Sequence, residues 1–155
     1  MRSALLRPYI PKRQYVPSNK KWEESVHRAF VHYIRLQYPR LLFRTDGAGL
    51  TLTKSQAGIY KSLNATAGWP DIHVPYPSRG FHGLYIEIKK ENIQIYCKSG
   101  PRKGLLVADP HIQLQASVLQ QLNDLGFFAR FGVGLDSCIK ILNYYMGKKE
   151  DPTLF

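Results

Sequence analysis

Cysteine is nearly absent from this chain. Only Cys97 and Cys138 occur, far apart, which excludes a disulfide framework and a cysteine zinc site. A reducing cytoplasm is the expected compartment, with a late pairing of the two thiols as the alternative. Long apolar runs are missing as well. No stretch approaches the roughly 20 residues that a membrane span needs, and the apolar part of Met1 to Pro8 is too short for a secretory signal. There is no internal repeat and no domain linker, so 155 residues read as one domain with a buried core. Acids are scarce too. Eleven Asp and Glu face twenty-two Lys and Arg, a net charge of +11 with a pI near 9.8. That imbalance favours a polyanionic partner, nucleic acid above all. A merely soluble basic surface, or contact with an anionic membrane or acidic protein, is the plainer reading. Ten Tyr and seven Phe can supply stacking surfaces, although most aromatics in a small domain are core.

The strongest pattern lies in two short segments. From Gly83 to Lys90, Leu84, Ile86 and Ile88 alternate with Tyr85, Glu87 and Lys89, which predicts a strand with Glu87 and Lys89 on one face. Asp71-Ile72-His73-Val74 predicts a partner strand with Asp71 and His73 sharing a face. Paired as a hairpin, they bring two carboxylates and an ammonium together. Such a cluster stabilises a sheet poorly, but suits a divalent cation held beside a phosphate.

Around this hairpin the chain reads in order. Residues 1–19 hold Arg2, Arg7, Lys12, Arg13 and no acid, a basic arm for phosphate contact or a loose terminus. Ser18 or Asn19 caps a helix from about Lys20 to Tyr38, with Trp22, Val26, Ala29, Phe30, Tyr33 and Ile34 as its apolar stripe. Glu23 and Glu24 fall near its start, where acids complement the helix dipole. Leu41 to Thr45 predicts a short strand, and 53–63 a short helix opened by Thr53, with Lys54 and Lys61 as candidate phosphate contacts. Ile93 and Ile95 continue the sheet towards Cys97. Lys98, Arg102 and Lys103 then lie in a flexible basic loop suited to gripping nucleic acid. Asp109 and Pro110 open a helix to about Leu125, with Ile112, Ala116, Leu119, Leu122 and Leu125 inward and Gly126 as its stop. Phe127 to Val133 predicts another strand, and Leu135 to Met146 a last helix with Cys138, Ile139, Leu142 and Tyr145 inward. The fold class is α/β, a mixed central sheet flanked by helices.

Phosphodiester hydrolysis needs a nucleophilic water, an oriented phosphate and a cation to offset charge on the leaving oxygen. Mg²⁺ takes oxygen ligands and keeps several waters, so a few carboxylates and a carbonyl suffice. Asp71, Glu87 and the Ile88 carbonyl fit that role. Lys89 is placed to touch the attacking water or the scissile phosphate.

Asp71 followed by Glu87-x-Lys89 resembles the PD-(D/E)xK nuclease superfamily, whose fold is restriction-endonuclease-like. The wider text is similar to its virus-type replication-repair nuclease (VRR-NUC) branch, which includes small phage and bacterial nucleases and the nuclease domain of Fanconi-associated nuclease. The passages are Glu23 with Phe30 to Pro39, Gly68-Trp69-Pro70-Asp71, Gly83 to Lys89, and Gln115, eleven residues before Gly126. They span about residues 22–146, so 20–146 is the expected nuclease domain, between the 1–19 arm and a 147–155 tail.

The resemblance implies Mg²⁺ or Mn²⁺ on Asp71 and Glu87, a catalytic Lys89, and Glu23 as a first-helix acid at the metal, with Glu24 as the alternative. Gln115 would orient Lys89 or the phosphate. It further implies a small homodimer that cuts structured DNA, four-way junctions foremost, in recombination and repair. Alternatives are a flap or other structured-DNA nuclease, a DNA-binding module without catalysis, and an RNA endonuclease. If the source is prokaryotic, the compartment is the cytoplasm of a bacterial or phage-infected cell. Two departures stand out. His27 replaces the family's usual Gln and reads first as a satisfied surface residue, with a contact to Glu23 or phosphate as the alternative, and residues 91–110 make a long connection.

Overall fold

The computed structural model describes residues 19–46, 53–63 and 66–148, so the basic arm up to residue 18 and most of the tail lie outside the described residues, and Asn19 belongs to the first helix. Eight elements follow in order: α1 (Asn19–Gln37), β1 (Arg44–Thr45), α2 (Lys54–Leu63), β2 (Ile72–Val74), β3 (Leu84–Lys89), α3 (Pro110–Asp124), β4 (Phe128–Val133) and α4 (Gly134–Tyr145). The sheet order is β1-β2-β3-β4. The β1–β2 and β2–β3 pairs are antiparallel, and β3–β4 is parallel, with α3 making the crossover.

Strand β3 is the spine, and all six of its residues are buried. Ile86 and Ile88 pack with Val26, Phe30 and Ile34 of α1 and Cys138, Ile141 and Leu142 of α4. On the opposite face Tyr85 packs with Val118, Leu119 and Leu122 of α3. Both faces are therefore covered, and Glu87 and Lys89 sit beneath a helix rather than facing water.

Helix α3 forms where its signals place it. Pro110 takes the first turn, and Asp109 Oδ1 accepts the N–H groups of His111 and Ile112 at 2.9 and 3.1 Å. Asp109→Ala is expected to cost about 1 kcal/mol, or about 3 °C in Tm; an unchanged thermal melt would contradict that role. Thr53 and Gln56 form a reciprocal cap on α2, with Thr53 N–H to Gln56 Oε1 at 2.9 Å and Gln56 N–H to Thr53 Oγ1 at 3.3 Å.

Four expectations are corrected. Ile93 and Ile95 do not extend the sheet: Asn92 turns the chain at φ 65°, and the segment pairs with itself through Cys97 N–H to Leu105 O at 2.8 Å and Val107 N–H to Ile95 O at 3.0 Å. The first strand shrinks to Arg44–Thr45 because its partner β2 is itself only three residues long, between Pro70-Asp71 and Pro75. Leu125 is 66% exposed, since α3 ends at Asp124 and its helical face stops there. In α4, Ile141 rather than Ile139 is fully buried.

Both cysteines are free, and burial pushes the Cys138 thiol up to about 12. Among the described residues no helix is long and apolar enough to cross a membrane.

Candidate active site

The β2–β3 register sets Ile72 opposite Ile86, so the chain just before β2 meets the end of β3. Asp71 Oδ2 accepts the Ile88 N–H at 2.8 Å, and so the carboxylate takes the place of a ladder partner. Extending the register by two residues puts Pro70 across from Ile88. Proline has no N–H, so β2 offers no donor for the Ile88 carbonyl. The Pro-Asp pair thus does two jobs: it ends the ladder and turns Asp71 onto β3.

Beside Asp71, Lys89 Nζ donates to Glu87 Oε1 at 3.0 Å, with both side chains about 95% buried. Gln115 Nε2 donates to the same Glu87 oxygen. Gln115 is a polar residue in the buried stripe Ile112, Gln115, Leu119, Leu122, and its Oε1 is buried without a partner among the described residues. A buried acceptor of this kind costs stability unless a donor reaches it. Gly68 lets this helix come close. At φ +77°, a Cβ there would stand 3.2 Å from Leu114 Cγ and 3.4 Å from the Gln115 backbone.

A second group closes the other side. His27 is buried, and its Nε2 bonds Thr45 Oγ1. The Thr45 hydroxyl also lies 3.2 Å from the Asp46 carbonyl, which ties His27 to the start of the segment after β1. Burial pushes the His27 pKa down against the pull of Asp71 and Asp46, which keeps the ring neutral at neutral pH. This overturns its reading as a surface residue. Its position three before Phe30 and seven before Ile34, on the buried face of α1, was the overlooked signal.

Asp71, Glu87, Lys89 and Gln115 are brought together. The side chains of Glu23 and Lys61 lie outside the described residues. Helix α1 begins at Asn19 and has no acid in its first turn, which removes the dipole reading for Glu23 and Glu24. The Glu24 carboxylate is engaged at the surface by Arg28 at 2.6 Å. Lys54, Lys98, Arg102 and Lys103 are exposed and stand apart from this buried cluster, and Arg102 donates to the Leu106 carbonyl at 3.3 Å.

Burial pushes the Asp71 pKa above its ordinary 3.8, with Asp46 adding to the rise; the Ile88 N–H, His27 and Lys89 oppose it. Because the folded value is raised, the metal-free protein loses stability as pH climbs from the ordinary carboxylate range through the raised value. Asp71→Asn, which keeps an oxygen for the Ile88 N–H, is expected to melt higher than the parent at pH 7 in chelator. The gap should close on acidification; a constant gap would refute the assignment.

Among the described residues no group of three or more His, Cys, Asp or Glu stands ready to hold a metal. The donor set is oxygen-rich: the Asp71 and Glu87 carboxylates and the Ile88 carbonyl, to which Pro70 has no N–H to offer. Hard cations that retain waters suit such a set.

No protein-family model matches the chain, and no curated protein matches it. Among solved structures it is similar to a VRR_NUC domain protein, at 21% identity and a TM-score of 0.60, over 83% of this chain and 91% of that one. The chain therefore has a VRR-NUC-like α/β fold, with a four-stranded mixed sheet flanked by helices.

Proposed function

We propose that this chain is a Mg²⁺- or Mn²⁺-dependent deoxyribonuclease, selective for branched DNA, that resolves four-way junctions as a homodimer. The observation that carries the reading is the convergence of Asp71 with Glu87 and Lys89 at the end of β3, on a VRR-NUC-like fold. Asp71, Glu87, the Ile88 carbonyl and Glu23 would hold the cation. When bound, it supplies charge neutralisation at the leaving oxygen and a more acidic water. Lys89 orients that water or the scissile phosphate. Gln115 holds Glu87 in place by donating from Nε2 to Glu87 Oε1. Symmetric incision of a junction needs two active sites, and one chain carries one, hence the dimer.

The test is a panel of single-stranded, duplex, flap and four-way DNA with Mg²⁺ or Mn²⁺, with the oligomeric state measured alongside. Paired incisions by a dimer are expected. Salt-sensitive binding that leaves every substrate intact would replace the reading with a DNA-binding module. Cleavage of RNA alone would replace it with an RNA endonuclease.

A further inference from the structure

Four side chains cross the sheet one strand step away from the carboxylates. Arg44 of edge strand β1 pairs with His73 of β2, and His73 pairs with Tyr85 of β3, so all three share one face. The His73 and Tyr85 rings are stacked, centroids 4.3 Å apart at 1°. Trp69 meets Tyr85 edge-on at 5.6 Å and 86°. Trp69 is 45% exposed, so much of the indole is left open beside that contact. It sits two residues ahead of Asp71, and Tyr85 two residues ahead of Glu87. Arg44 is exposed and has no ion pair among the described residues. In a chain of net charge +11, an exposed indole and an exposed guanidinium on one side of the sheet suit a base and a phosphate.

We infer that Trp69 and Arg44, carried on the buried Tyr85 and its stacked partner His73, form a strip that takes an unpaired nucleotide of DNA beside the cleavage site, the base on Trp69 and the phosphate at Arg44. This rests on the nuclease reading and deepens it. A duplex buries its base faces in its own stack, whereas a fork or junction offers unstacked ones. The strip therefore supplies a selection for branched substrates that the carboxylate site lacks.

The probe is a forked DNA carrying 2-aminopurine at the first unpaired position, beside a matched duplex, both with Ca²⁺ in place of Mg²⁺. Stacking on the indole quenches 2-aminopurine. Trp69→Leu keeps apolar bulk but removes the π face, and Trp69→Tyr keeps a ring. The expected result is loss of the quench and about tenfold weaker fork binding for Trp69→Leu, duplex binding unchanged, and retention by Trp69→Tyr. Arg44→Gln should lower the slope of log affinity against log salt by about one contact. Equal weakening on fork and duplex, no quench with the wild-type chain, or an unchanged Arg44→Gln slope would overturn the strip. Wild-type protein that quenches yet cuts nothing in Mg²⁺ or Mn²⁺ removes the nuclease reading and keeps the strip. Cutting without any quench does the reverse.

Discussion

Glu87→Gln is expected to lower DNA cleavage about a thousandfold in protein that still folds, with a lower Tm because the Lys89 ammonium stays buried without its carboxylate. Glutamine is nearly isosteric and keeps an oxygen to accept from Lys89 Nζ and Gln115 Nε2, so the packing under α3 has no reason to change. What it loses is the charge. A bound divalent cation contributes several kcal/mol at the transition state, and about 4 kcal/mol corresponds to about three decades of rate. The measurement is single-turnover cleavage in Mg²⁺ and Mn²⁺, with circular dichroism as the control for folding. Asp71→Asn should lose a comparable factor, since its carboxylate is held at the end of β3 through the Ile88 N–H. Cleavage within about tenfold of the parent in either variant would remove the carboxylates from the chemistry.

The second large effect is on stability. Lys89→Met removes the ammonium from a pair that is about 95% buried and takes away the cation bonded to the Glu87 carboxylate, to which Gln115 also donates. Stranding one member of a buried pair costs about 3–5 kcal/mol, which for a domain of this size is about 10 °C in Tm. Combining Lys89→Met with Glu87→Gln should recover most of that loss, because replacing a buried pair costs far less than breaking one. The two melts, run in chelator, decide it. A single substitution costing under about 1 kcal/mol, or a double no better than the single, would mean that the pair is not the structural unit the geometry describes. A sheet centre that holds such a pair is stabilised poorly by it, which is expected of a spine strand shaped by chemistry as well as packing.

Much of this site was legible in one dimension. Period-2 alternation in Tyr85 to Lys89 put Glu87 and Lys89 on one face, and the structure keeps them there. Capping residues located α3 to within a residue, because cap chemistry is local. The length of Ile72–Val74 was less legible, as was the end of the sheet at Lys89, since strand pairing depends on what the partner offers. His27 was misread because a lone histidine near a helix surface gives no sign of the partner it will meet. That partner, Thr45, is eighteen residues away.

The sequence by itself determined the α/β class, the strand that carries Glu87 and Lys89, and the Pro-Asp step that ends β2. Each follows from local propensity, patterning or the missing N–H of proline. Only the tertiary structure decided that both faces of β3 are covered, so that Glu87 and Lys89 form a buried pair. It likewise decided that Gln115 bonds Glu87 rather than Lys89, that His27 joins the far side of the site, and that Trp69 stands open beside Tyr85. The reason is the same for all four. Burial and polar partnership are properties of surfaces brought together from distant parts of the chain, and no local pattern encodes which surface arrives.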